Sequence, residues 1–185
     1  MSEELIKRIL SSIILIPVTF FFIIQGSFLF IFFILICLCA IIYEWHMMSK
    51  KKSYRIFGFI FIFVSFYTIY KLRIGNDYWF LLFITIICVS TDIGGYIFGK
   101  IFKGPKLTKF SPNKTYTGMI GGYLLSIITS IILTNLYFSN DLAINWFIFA
   151  ILISTISQLG DIIISYFKRL SKIKDTGKII PGHGG

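Results

Sequence analysis

The sequence predicts an all-α polytopic integral membrane protein with about six transmembrane helices and cytoplasmic N- and C-termini. Three observations predict it. Of the 185 residues 56% are hydrophobic and the mean hydropathy is +0.84, more than the surface of a water-soluble domain this small can carry. The apolar residues gather into six runs, at about 9–24, 28–42, 56–70, 78–99, 118–138 and 144–167; the shortest lie just under the ~17–25 residues needed to span a bilayer. The positive charge is one-sided. With the N-terminus inside, the lead supplies Lys7 and Arg8, the 44–55 connection four bases, the 100–117 connection five and the segment after Phe167 five. Sixteen of the eighteen Lys and Arg are then cytoplasmic and only Lys71 and Arg73 lie opposite, as membrane orientation requires. The net charge of +10 sits in short loops between apolar runs, which excludes nucleic acid as a partner.

Taken in order, residues 1–8 are a polar lead, and the first run has no small-residue cleavage site, so it reads as a retained helix. Gln25-Gly26-Ser27 is a tight break, making runs one and two an antiparallel hairpin of two spans, with a re-entrant pair as the alternative. The 44–55 connection reads as an orientation signal that also attracts anionic headgroups, and Trp45-His46 as interfacial. Runs three and four flank 71–77. Runs five and six flank a brief turn at 139–143. Cys37, Cys39 and Cys88 lie inside apolar runs and read as packing residues. No repeat and no soluble domain is visible, so 1–185 reads as a single membrane domain with cytoplasmic connections 100–117 and 168–185.

Two acids fall within runs. A charge at membrane depth costs roughly 2.5–3.5 kcal/mol even on the lenient scale, so Asp92 and Asp161 need a partner or a task. Gln158, Asp161, Ser165 and Lys168 follow at helical spacing, and Thr85, Asp92, Tyr96 and Gly99 do much the same; two such stripes are expected to face each other. Hydrogen-bonding stripes that only hold the bundle together are the structural alternative.

The 111–118 stretch, Ser111-Pro112-Asn113-Lys114-Thr115-Tyr116-Thr117-Gly118, adds a helix start that Thr115 or Thr117 can cap, beside a lysine. That combination favours anions. A phosphate-binding G-x-x-x-x-G-K loop is absent. At the end, Lys174-Asp175 precedes Pro181-Gly182-His183-Gly184-Gly185, where dense glycine lets backbone N–H groups close on an anion and His183 could donate to a phosphate oxygen.

At these residues the chain resembles a family. S-Y-F-K-R-x-x-x-x-K-D-x-G-x-x-x-P-G-H-G-G, from Ser165 to Gly185, closely resembles the signature of the phosphatidate cytidylyltransferases, or CDP-diacylglycerol synthases. Asp92 with Gly95-Tyr96-Ile97-Phe98-Gly99, then Ser111 to Thr115 and Gly118, resembles the family's upstream block. The resemblance covers about the C-terminal half.

It implies a multi-pass enzyme of the cell inner (plasma) membrane that joins CTP and phosphatidate into CDP-diacylglycerol and pyrophosphate with Mg²⁺. Asp161, Lys168, Arg169, Lys174, Asp175 and His183 would be the catalytic group. Asp161 and Asp175, with Asp92 as a further candidate, would hold the metal. Ser111, Asn113, Lys114, Thr115, Gly118, Gly182, Gly184 and Gly185 would contact substrate. Implied partners are CTP, phosphatidate and membrane lipids, with a homodimer left open. Two departures stand out. Ile164 occupies a position that is acidic in many members, and the motif's continuation into an Asp-Arg-x-x-Asp-like segment does not follow Gly185, so either a fragment of a synthase or a truncated synthase is expected. The alternatives are a CTP-dependent lipid kinase, a small ion-coupled transporter and an inactive truncated synthase.

Overall fold

The computed structural model describes residues 3–75, 77–111, 113–137, 143–173 and 175–177. They form six α-helices: α1 (Glu3–Gln25), α2 (Ser27–Met48), α3 (Arg55–Gly75), α4 (Tyr78–Phe102), α5 (Tyr116–Tyr137) and α6 (Ala143–Leu170). Strand-like pairing among the described residues is confined to one bridge, Lys106 to Thr115. Five helices are long and apolar enough to cross a membrane, and the apolar part of α1, Leu10–Gln25, is shorter. The helices overrun most of the apolar runs. α3 has 21 residues and takes in Lys71 and Arg73; α2 runs through Glu44, Trp45 and His46 to Met48. Hydropathy falls at the interface, but a helix there still satisfies its backbone internally, so polar ends stay helical.

The surface is apolar, and the interior mixes apolar side chains with small hydroxyls. Phe28, Ile56 and Ile156 are 73%, 71% and 69% exposed, while Ser126, Ser130, Ser154 and Thr91 are at most 2% exposed. This arrangement suits a lipid solvent, in which small residues and hydroxyls make the helix contacts.

The chain divides into two units, Leu82–Phe167, and Met1–Leu81 together with Lys168–Gly185. In the second of these, α1 turns into α2 at Gly26, whose φ of +63° few side-chain-bearing residues adopt. A Cβ at Gly26 would also strike the Arg73 guanidinium. Arg73 donates from Nε to the Ile23 carbonyl at 2.7 Å and from Nη2 to Ile24 at 3.3 Å. It thereby satisfies the end of α1, where carbonyls lack helical donors. Phe22 stacks on Phe33 at 4.7 Å. Trp45 is buried: its indole N–H donates to the Arg55 carbonyl at 3.0 Å and Gly58 leaves room for its ring. It is a packing residue joining α2 to α3 as well as an aromatic near a helix end.

In the unit Leu82–Phe167, α4 and α5 meet backbone to backbone. A Cβ at Gly118 would sit 2.7 Å from the Gly95 carbonyl, and one at Gly94 or Gly121 would collide with the facing helix. Small residues permit this approach. Between α4 and α6, the Thr91 and Ser154 hydroxyls bond at 3.0 Å; within α6, Gln158 Nε2 donates to the same Ser154 oxygen at 3.3 Å; Tyr123 of α5 pairs with Thr155 at 2.9 Å. Phe83, Ile87 and Ala150 are the buried apolar centre, flanked by Leu133, Trp146 and Ile153. The expected α4 stripe does not act as one surface. Tyr96 carries Lys100, Gly99 lies against Thr115 and Gly118, and α6 is met through Thr91. An α-helix turns 100° per residue, and Thr91 stands on a different line from Asp92.

Candidate functional site

The 103–115 connection of the unit Leu82–Phe167 is a compact hairpin, despite its five-lysine neighbourhood. Leu107 N–H donates to the Lys114 carbonyl at 2.8 Å, Tyr116 N–H to Pro105 at 3.0 Å, and Lys114 N–H to Ser111 at 3.1 Å, closing a turn. Ser111 N–H is taken by Thr108 Oγ1 at 3.2 Å. Thr115 is the residue before α5, and its hydroxyl accepts Gly118 N–H at 3.1 Å, an N-cap worth about 1 kcal/mol. Thr117 Oγ1 accepts Gly104 N–H at 3.2 Å, tying the hairpin's base to the helix. Phe110 packs edge-on to Tyr166 of α6, with ring centroids 4.9 Å apart.

Held this way, Lys114 reaches α6 and pairs with Asp161, Nζ to Oδ2, at 2.5 Å. The lysine side chain is 29% exposed and the aspartate 53%. Asp161 is therefore not enclosed by α4, as its place within an apolar run suggested; it stands open near the end of α6 and is met by the hairpin. Asp92 of α4 lies within electrostatic reach of both Asp161 and Lys114. Two carboxylates and one ammonium thus converge from α4, the hairpin and α6. A phosphate could take over the lysine and a hard cation the carboxylates, since each member of the pair has the charge the other ligand needs. Asn113 is exposed in the hairpin turn. Gly118 is buried and serves the close approach of Gly95. Ile164, 38% exposed, gives no polar contact at its position.

Another set of expected residues belongs to the unit formed by Met1–Leu81 and Lys168–Gly185. Lys168 and Arg169 occupy the last turn of α6, and Asp175 is exposed. The helix ends in a Schellman cap: Ile173 N–H donates to Lys168 O at 3.0 Å and Lys172 N–H to Arg169 O at 2.9 Å, with Lys172 at φ +61°; this is the 6→1 and 5→2 pattern. The segment that follows is fastened to α2 and the α2–α3 connection. Ser171 and Tyr54 share a hydrogen bond of 2.5 Å, and Thr176 Oγ1 donates to Glu44 Oε2 at 2.9 Å. Sequence reasoning passed over Glu44 and Tyr54. The available signal was that Glu44 is the only acid between Glu4 and Asp77. Lys174, Gly182, His183, Gly184 and Gly185 lie outside the described residues.

The cytidylyltransferase family model matches residues 71–185. The chain is 36% identical over 195 residues to the phosphatidate cytidylyltransferase of Rickettsia typhi, covering 99% of this chain and 84% of that one. It is 37% identical to that of Rickettsia bellii, covering 99% and 83%. Against that of Staphylococcus saprophyticus it is 32% identical over 160 residues, covering 82% and 60%. No solved structure matches.

Proposed function

Because the chain belongs to the cytidylyltransferase family, we propose that it transfers the cytidylyl group of CTP to phosphatidate, giving CDP-diacylglycerol and pyrophosphate. The observation that carries the reading to particular residues is the Lys114–Asp161 pair beside Asp92. In the reaction a phosphate oxygen of phosphatidate bonds to the α-phosphorus of CTP, and the bond from that phosphorus to the bridging oxygen of the leaving pyrophosphate breaks. The lipid phosphate is itself the nucleophile, so no side chain needs to form a covalent intermediate. The protein's part is to align two polyanions and offset their charge. Lys114, on a hairpin braced at Thr115, Thr117 and Phe110, is placed to hold a phosphate oxygen. The tail residues Lys168, Arg169 and Asp175 join this reading on the strength of their motif.

A divalent cation is expected with a triphosphate. Among the described residues no group of three His, Cys, Asp or Glu side chains could hold a metal. Mg²⁺, however, commonly takes only one or two carboxylates, with water and substrate phosphates completing its shell. Asp161 and Asp92, hard oxygen donors close enough to interact electrostatically, fit that requirement. When bound there, Mg²⁺ would neutralise triphosphate charge. The apolar helices make this a membrane protein, and we place it in the bacterial inner membrane, with the hairpin on the cytoplasmic side where CTP is found.

The test is CTP- and phosphatidate-dependent release of pyrophosphate by membranes containing the chain, with Asp161→Asn as control. Pyrophosphate equal to the CDP-diacylglycerol formed, and absent with the variant, supports the assignment. CDP as the nucleotide product would mark a lipid kinase and overturn it.

A further inference from the structure

We propose that Glu44 is a positioning residue for cytidylyl transfer, holding the 175–177 stretch of the C-terminal signature against α2. The proposal rests on the cytidylyltransferase reading and concerns a residue from the half of the chain that carries no family motif.

Three observations within one unit converge. Thr176 Oγ1 donates to Glu44 Oε2 at 2.9 Å. At Gly177 the backbone comes so near that a Cβ would strike the other Glu44 oxygen. Five residues before Thr176, Ser171 is bonded to Tyr54 at 2.5 Å. The described residues after the helix cap are thus tied at Ser171 and at Thr176, and Asp175 is the immediate neighbour of the second tether. The glycine of the K-D-x-G motif gains a physical reason: without a Cβ it lets the chain lie on the Glu44 carboxylate.

Glu44 is also costly where it stands. It lies one turn from the C-terminal end of α2, where the helix dipole disfavours negative charge. A residue that breaks a local rule is expected to be repaid elsewhere, and the bond to Thr176 is what it gains here.

The experiment measures kcat and KM for CTP in detergent-purified wild type, Glu44→Ala, Glu44→Gln, Thr176→Val and the Glu44→Ala/Thr176→Val double variant, with thermal unfolding of each. Misplacing a catalytic segment by about 1 Å costs up to about a hundredfold, so Glu44→Ala and Thr176→Val are each expected to lose about ten- to a hundredfold in kcat. The double variant should fall no further, because the two act through one bond. Glu44→Gln, whose amide oxygen can still accept from Thr176, should recover to within about threefold of wild type. A merely structural acid would instead lower the unfolding temperature and leave the kcat of the folded fraction alone. Full activity in Glu44→Ala, additive losses in the double variant, or failure of Glu44→Gln to recover would each overturn the role. An inactive wild type would refute cytidylyl transfer itself. In that event a bifunctional maleimide between Glu44→Cys and Thr176→Cys, in a background without Cys37, Cys39 and Cys88, decides the contact alone: no cross-link overturns it.

Discussion

Replacing Lys114 with methionine removes one ammonium and little volume, which allows its catalytic and structural effects to be separated by size. The Lys114–Asp161 pair is open to its surroundings, at 29% and 53% side-chain exposure. Pairs this exposed contribute about 0–1 kcal/mol to stability. The hairpin that carries Lys114 is held by bonds the variant keeps: Leu107 to the Lys114 carbonyl, Tyr116 to Pro105, and the Thr115 cap. The unfolding temperature in detergent should therefore move by no more than a few degrees. Catalysis should respond far more. Removing a single preorganised group that stabilises transition-state charge typically costs about 10²–10³ in kcat, or about 2.7–4 kcal/mol. The assay is incorporation of radiolabelled CTP into CDP-diacylglycerol at saturating phosphatidate, alongside a thermal scan of the same preparation. Lys114→Arg should recover only part of the rate, because a planar fork does not reproduce a compact point charge. Activity within about threefold of wild type for Lys114→Met, with its fold intact, would refute a charge-stabilising role for this lysine.

Further outcomes follow from the same geometry. Gly121→Val, which drives a side chain into Phe98, should destabilise the α4–α5 contact by about 1–3 kcal/mol, read as a lower unfolding temperature. Thr115→Val keeps the shape but loses the cap on Gly118; it should cost about 1 kcal/mol of stability and more than that in kcat, since the hairpin bearing Lys114 loosens. Chelating divalent cations should abolish turnover, and Mg²⁺ should restore it to wild type but not to a chain carrying both Asp92→Asn and Asp161→Asn.

The fold was legible because lipid imposes one simple rule: long apolar runs become helices. The Gln25-Gly26-Ser27 break read correctly as a turn between two such runs. Helix ends were not legible, because Lys71, Arg73 and Glu44 lower the hydropathy without ending the helix. Lys114 and Asp161 were each found from local chemistry, a lysine at a capped helix start and an acid in an apolar run. Their pairing was not, since it depends on how the hairpin folds back through Phe110 and Tyr166. The α4–α6 contact was legible in part: Asp92 and Asp161 do come within electrostatic reach of each other, but Thr91, off the expected α4 line, makes the hydrogen bond to α6. Thr91 bonds the Ile87 carbonyl of its own helix as well as Ser154, so spacing alone does not distinguish a bridging hydroxyl from a self-satisfied one. Glu44 went unread because its partner lies 132 residues away.

Two parallel incubations of membranes, phosphatidate and Mg²⁺ test the assignment most directly, one with CTP labelled at the α-phosphorus and one at the γ-phosphorus. Cytidylyl transfer predicts α-label in CDP-diacylglycerol, γ-label only in pyrophosphate, and neither transfer in Asp161→Asn. γ-Label appearing in lipid, or α-label entering lipid equally well with Asp161→Asn, would contradict it.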